Sequence, residues 1–417
     1  MRIAIVGSGV SGLVSAHLLH PLHEITVFEA QERLGGHVNT VRVPATDGPD
    51  YDIDTGFIVF NEANYPGFTR LLARLGVASQ PSDMSFSFSC METGLEYRGT
   101  DLNTLFAQRR NLVNPGFLRM LVDIVRFNRD ARRLLQSEDI TTSLDDFLAA
   151  GHYSKEFVER YVTPLGSSIW SSDPSRFGEF PAAAMARFFD RHGLLRLRHR
   201  PEWRTVKGGA SRYVEALTAP MLDHIRLGAP VHRIARDETG VSIWAGDGTS
   251  GERFDRVIIA AHADEALSML DAPTPLETET LGAFRFQPNR ATLHTDVTML
   301  PRNHRAWASW NYQRVAYGQR SPTLTYNANS LQSLRSERVF CTTLNREDDI
   351  DPADVIASFD YAHPVFDAKA LQMQGRQSQL NGQEHTYYCG AYWGYGFHED
   401  GVQSALAVCR RLAGESL

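Results

Sequence analysis

The chain has 417 residues, 42% of them hydrophobic and 22% charged, with a formal net charge of −7. That length allows two or three domains around a large core, and the composition is that of an ordinary globular protein. The acidic balance argues against a nucleic-acid partner, and no apolar run reaches the ~18 residues that a membrane-spanning helix needs.

Of the 42 basic residues only Lys155, Lys207 and Lys369 are lysines, a bias to which no function is assigned. Cys90, Cys341, Cys389 and Cys409 lack C-x-x-C spacing, so neither a metal site nor a disulfide framework is expected. A cytoplasmic location fits this cysteine usage, and a strand that begins at the second residue leaves no room for a signal peptide.

Arg2 to Val6 reads as a strand, Gly7-Ser8-Gly9-Val10-Ser11-Gly12 as a turn, Leu13 to Leu19 as a helix and Glu24 to Phe28 as a second strand ending at Glu29. Strand, G-x-G-x-x-G, helix, strand and acid in this order describe a dinucleotide-binding unit. Gly7 makes the tight turn, Gly9 admits the pyrophosphate to the backbone, and Gly12 lets helix and strand pack closely. The helix N-terminus offers free N–H groups to the phosphates. Glu29 stands where a carboxylate accepts both ribose hydroxyls.

Next comes Glu29-Ala30-Gln31-Glu32-Arg33-Leu34-Gly35-Gly36-His37, with a second glycine pair that lets another loop close over the pyrophosphate. Arg33 or His37 is available there for charge pairing. This stretch resembles the E-A-x-x-R-x-G-G-R pattern of the flavin amine oxidase and phytoene desaturase superfamily. It departs at His37, where those enzymes usually have arginine, so a permanent charge becomes a titratable one. The resemblance implies an α/β fold: a Rossmann-like FAD/NAD(P)-binding domain of the amine oxidase type with an inserted α+β substrate domain. It also implies non-covalent FAD, and it extends the cofactor-binding set to Ser8, Ser11, Ala30, Gly56 and Phe57.

On this reading residues 1–75, 202–270 and 381–417 form the FAD-binding domain, and 76–201 with 271–380 form the substrate domain. In the first insert, Gly116 to Phe127 has helical spacing, with Phe117, Leu118, Leu121, Ile124 and Val125 expected on the core face and Arg119, Arg126, Arg129 and Arg133 toward another side. A sharper reading rests this helix on a lipid surface. A second basic cluster, Arg187, Arg191, Arg196, Arg198, Arg200 and Arg204, is interleaved with apolar residues. It reads either as a solvated loop or as a dock for phospholipid headgroups.

After Lys207-Gly208-Gly209 a helix is expected over Ser211 to Leu217, followed by strands at Ile225 to Leu227, Pro230 to Ile234, Val241 to Trp244 and Phe254 to Ala261. The resemblance gives Val231 a backbone contact with adenine; a core valine is the alternative. In the second insert the runs Ala291 to Asp296, Trp307 to Tyr312 and Leu324 to Asn327 suggest an antiparallel sheet lining the pocket. His294 and Asp296 share a strand face and could orient a proton shuttle, or form a structural pair. The stretch Leu281 to Asp296 lacks the lysine that many amine-oxidising relatives keep in this sheet, and Arg285 or Arg290 cannot replace it as a base.

His385 to Cys389 reads as a strand, Gly390-Ala391 as its stop, Tyr392 to Phe397 as an aromatic loop, and His398-Glu399-Asp400-Gly401-Val402 as the opening of a last helix. This tail looks like the superfamily's second flavin-binding motif, which adds Gly390, Asp400, Gly401 and Val402 to the cofactor set. Gly401 is expected to permit close approach of the ring. His398 is the candidate proton acceptor with Tyr395 beside it, the alternative for His398 being a helix-capping role. Asp52 to Asn61, Leu293 to Asp296, Trp307 to Tyr312, His363-Pro364 and Gly390 to Gly401 resemble a bacterial subgroup associated with cyclopropane-type fatty-acyl methyltransferases, some members of which are implicated in desaturating methylated acyl chains. The resemblance implies a lipid or fatty-acyl substrate, molecular oxygen as acceptor and peripheral contact with the inner membrane face. Oxidation of an amine or polyprenoid, and a non-catalytic flavoprotein partner of a lipid enzyme, remain as alternatives.

Overall fold

The computed structural model describes residues 1–45, 48–137, 139, 141–196, 200–316, 318–319 and 321–413. β1 (Arg2–Val6) has Ile3, Ala4 and Ile5 fully buried, as a strand covered on both faces requires. It lies in a parallel five-stranded sheet, between β2 (Glu24–Phe28) and Arg256–Ile259. The order is Ile225–Arg226, β2, β1, Arg256–Ile259, Thr386–Tyr388. The sheet thus draws neighbours from three distant parts of the chain, which is the α/β Rossmann-type arrangement. The connection from β1 to β2 is α1 (Val10–Leu19), and α1 packs against the C-terminal helix His398–Ala413.

A second sheet has seven strands in the order Val355–Val365, Arg285–His294, Cys341–Leu344, Leu324–Asn327, Trp310–Arg314, Phe86–Cys90, Glu96–Arg98. Its pairs are antiparallel except Trp310–Arg314 with Phe86–Cys90, which run parallel and join the two inserts. The strands expected in the second insert thus pair antiparallel, and the one parallel pair adds a strand of the first insert. A helical layer covers it, and Phe117, Phe127, Phe157, Phe188 and Phe189 of that layer share one core with Phe88 and Tyr312 of the sheet.

The helix read from Gly116 spans Pro115–Leu134. Its Asn114 side chain accepts from Phe117 N and so caps the first turn. The core face is in part the one expected: Phe117 is buried and Leu121 and Ile124 pack against the core, but Leu118 and Val125 do not. Phe117, Met120, Phe127 and Ala131 are buried, whereas Leu118, Val122 and Val125 are exposed beside the arginines. Buried Asp123 turns the helix this way, because its carboxylate accepts from Ser154 N as well as from Arg119 and Arg126. Of the second basic cluster, Arg198 lies outside the described residues.

Candidate active site

The tight turn after β1 brings Gly7 N to the Phe28 carbonyl, tying β1 to the end of β2. A Cβ at Gly12 would collide with the Gly7 carbonyl, so only glycine allows α1 to start this close to the strand. Gly9 is the opposite case: a Cβ there would meet nothing within 4 Å. No side chain caps α1 at Gly9 and its first turn holds no acid. Its unpaired N–H groups and positive dipole end face that open space, as a diphosphate requires. Gly36 closes over the same loop, where its Cβ would lie 3.2 Å from Gly9 Cα. Both elements of a pyrophosphate cradle are present.

Glu29 is buried at the tip of β2. Its Oε2 accepts from Ser8 N at 2.9 Å and Ser8 Oγ at 2.6 Å, and its Oε1 accepts from Gln31 N at 2.8 Å. Oε1 retains acceptor capacity for a ribose hydroxyl. Exposed Ala30 follows it directly. The segment expected at the adenine side is adjacent, since Ala229 N donates to the Glu29 carbonyl and Val231 begins the next strand two residues later, its side chain buried.

Several residues expected to touch the cofactor also hold the cradle together. Ser8 is buried, with both donors spent on Glu29 and its carbonyl on Gly35 N. Ser11 Oγ donates to the Gly401 carbonyl at 3.1 Å. Arg33 Nη1 donates to the carbonyls of Gly36 and Val38, locking the glycine pair by hydrogen bonds. Gly401 lies against α1, where a Cβ would sit 2.6 Å from Val10 Cγ1. Val402 packs into the core beside Gly67.

His37 does not act as a substitute arginine. Its ring stacks on Tyr361 at 5.0 Å and lies 5.3 Å from His363 and 6.2 Å from His262. Burial and the neighbouring imidazoles hold its pKa well below the usual value, so it offers N–H or lone pair rather than charge. His363 is held at about 4 for the same reason, and Asn289 Nδ2 lies 2.9 Å from its Nδ1. Tyr361 Oη is fixed by Asn39 Nδ2 and Thr55 Oγ1. The sequence reading missed His262, His363, Tyr361 and Asn39. The one signal present was the His363-Pro364 pair in the subgroup pattern.

The aromatic loop joins the two halves. Gly390 N, just past Thr386–Tyr388, donates to Ser404 Oγ of the last helix. Trp170 Nε1 donates to the Tyr395 carbonyl, and Phe188 stacks on Phe397 at 5.0 Å. Tyr395, Phe397, Trp310, Tyr326 and Phe359 are partly buried rings at the edge of one apolar cluster. Asp400 Oδ2 accepts from Tyr395 N and Phe397 N, and burial raises its pKa to about 6. Glu399 accepts from Gly67 N and Phe68 N, both at 2.9 Å. Both acids in the first turn of the last helix are thus engaged by backbone amides.

His398 is not placed as a base of neutral pKa. Its ring stacks on Phe57 at 3.4 Å and its Nε2 lies 2.9 Å from Tyr213 Oη. Burial lowers its pKa to about 3. Phe57 in turn follows Gly56 and donates its N–H to the His37 carbonyl. His294 and Asp296 make the structural contacts that were the alternative for them. His294 Nδ1 accepts from Asp296 N, which leaves Nε2–H for Thr343 Oγ1 at 2.7 Å. Asp296 accepts from Thr298 and Asp351 and lines a surface hollow with Asp349 and Asp354. On the strand Arg285–His294, Phe286 stacks on His262. His294 lies eight residues further along, roughly 27 Å away.

The family profile described as flavin containing amine oxidoreductase matches residues 10–296. A Mycobacterium tuberculosis protein carrying the name flavin-containing monoamine oxidase AofH is 26% identical over 292 residues, 67% of this chain and 61% of its own length. The flavin-dependent L-tryptophan oxidase RebO of Lentzea aerocolonigenes is 25% identical over 296 residues, 62% of this chain and 57% of its own length. The chain spans about three fifths of the length of these curated relatives. Among solved structures, cyclohexylamine oxidase from Brevibacterium oxydans matches with a TM-score of 0.69 at 17% identity, over 99% of both chains. A CLA-producing fatty acid isomerase from P. acnes matches with 0.68 at 16%, over 98% of both. At these identities the structural likeness is one of fold.

Proposed function

This chain belongs to the flavin containing amine oxidoreductase family, and from that premise we propose that it is an FAD-dependent oxidoreductase acting on an uncharged, apolar substrate, a methylated fatty-acyl lipid being the class we favour. When bound, FAD supplies the hydride acceptor at its N5, and molecular oxygen is the proposed final acceptor. The residues that would hold it are the Gly9 and Gly36 loops at the pyrophosphate, Glu29 at the ribose and the Val231 backbone at adenine. His37, held neutral, would donate or accept a hydrogen bond there without adding charge.

The observation that carries the substrate reading is the state of the aromatic loop. Its Tyr395 and Phe397 rings are half-buried, while Glu399 and Asp400 are both turned to backbone N–H groups. These bonds occupy part of each carboxylate and fix its direction, which disfavours either acid as the counter-ion of an ammonium. Tyr395 and Phe397 supply an apolar wall that excludes water, which suits an acyl carbon losing hydride. A fatty-acid-converting enzyme shares the fold, which is compatible with this reading. Oxidation of a soluble amine is the second reading, favoured by the monoamine oxidase and tryptophan oxidase relatives.

Anaerobic mixing of the FAD-loaded protein with methylated phospholipid, and separately with a panel of primary and secondary amines, discriminates between them. Bleaching of the flavin absorbance by lipid alone is expected. Bleaching by an amine alone would transfer the assignment to amine oxidation. Bleaching by neither would favour a non-catalytic flavoprotein.

A further inference from the structure

The helix Pro115–Leu134 is about 30 Å long and presents an outer face that no described part of the chain covers. Leu118, Val122 and Val125 fall within one narrow stripe of that face, and Arg129 and Arg133 continue the same stripe toward the C-terminal end. Leu112 and Val113 extend the apolar half across the turn that precedes the helix. These five side chains are between 40% and 82% exposed. Holding so many aliphatic groups in water is costly and marks a contact surface.

The charge around the patch identifies what it meets. Between Leu102 and Leu135 the chain has seven arginines and two aspartates, in a protein whose net charge is −7. Asp123 is shared by Arg119 and Arg126, and Asp130 by Arg129 and Arg133, so the segment keeps a surplus of positive charge. We propose that this face docks the protein on an anionic phospholipid bilayer, the aliphatic stripe entering the headgroup boundary and the arginines meeting lipid phosphates. A soluble anion would leave the valines and leucines without a role. A second copy of the chain in a two-fold contact would set the same arginines against one another. The inference adds to the acyl-lipid reading, by bringing the active site to a membrane, but it rests on this helix alone.

Co-sedimentation of the FAD-loaded protein with phosphatidylcholine vesicles, with and without about a third phosphatidylglycerol, tests it. Binding is expected only to the anionic vesicles and should fall with salt. Val122→Gln with Val125→Gln should cut partitioning at least about tenfold. Arg129→Gln with Arg133→Gln should cut it by roughly fivefold per residue. Flavin content and melting temperature confirm that both variants are folded. A wild type that stays in solution with anionic vesicles, or a valine variant that binds like wild type, would overturn the proposal. So would a dimer in light scattering that the valine variant dissociates. Vesicle binding without flavin reduction by any acyl lipid would leave the docking surface standing and remove the substrate reading. Reduction by detergent-dispersed lipid without vesicle binding would do the reverse.

Discussion

Ser11, in the first turn of α1, donates its hydroxyl to the carbonyl of Gly401, in the first turn of the last helix, 390 positions later. The bond joins the two glycine-bearing motifs at opposite ends of the chain, and Gly401 makes it possible by admitting Val10. Gly401→Val should therefore cost about 1–3 kcal/mol by overpacking. Ser11→Ala should cost about 1 kcal/mol, the net worth of one buried hydrogen bond. Thermal unfolding of the flavin-free protein measures both; a Gly401→Val protein as stable as wild type would mean that the helices are not this close.

Gly9 and Gly12 should separate cofactor binding from folding. Gly9→Ala adds a methyl where nothing lies within 4 Å, so the flavin-free protein should melt like wild type, within about 0.5 kcal/mol. The same methyl intrudes on the phosphate approach, so bound FAD should fall sharply. Gly12→Ala meets the Gly7 carbonyl and should lose folded protein itself. Equal flavin content in Gly9→Ala and wild type would move the phosphate elsewhere.

Glu29 serves two partners. Glu29→Ala should weaken FAD by about 1.5–3 kcal/mol, the range for a hydrogen bond to a charged group. It should also destabilise the flavin-free protein, because Ser8 N and Oγ lose their acceptor. Titration of FAD into stripped protein, paired with its melting curve, resolves the two effects. An unchanged FAD affinity would remove Glu29 from the ribose.

Acid should destabilise the fold. His37, His192, His294, His363 and His398 all have lowered pKa values, chiefly through burial. Below pH ~6.5 the unfolded chain protonates these imidazoles first, so stability falls as pH drops through that value toward 4. Asp54 and Asp400, raised to about 7 and about 6, act in the opposite direction but are fewer. His398→Gln, which keeps a polar partner for Tyr213, should reduce the stability slope near pH 5 by about 1.4 kcal/mol per pH unit. A slope identical to wild type would mean that His398 is solvated.

The same variant tests catalysis. Loss of a general base costs ~10²–10⁴ in rate. With its ring packed on Phe57 and its Nε2 against Tyr213, His398 should not be one. Stopped-flow reduction of FAD-loaded His398→Gln is expected within about threefold of wild type, well short of that loss. A hundredfold decrease would restore it as the proton acceptor.

Local patterns alone determined the cofactor unit. Arg2 to Glu29 carries its turn, helix start and ribose acid within one βαβ segment, so short-range sterics specify it, and the paired Gly35 and Gly36 add the second loop. Residue type could not say which donors would be consumed inside the protein. Ser8, Ser11 and Arg33 look like ligands in sequence, yet each also bonds a partner within the protein, and for Ser11 that partner comes from the opposite end of the chain. The arginine helix shows the same limit: Leu118 and Val125 have core spacing, but Asp123 and its Ser154 contact rotate them outward. His398 has an ordinary imidazole's pKa on paper, and only the packing of Phe57 and Tyr213 removes the water that would let it hold a proton near neutrality. Desolvation is a property of the assembled neighbours, so tertiary structure alone decided it.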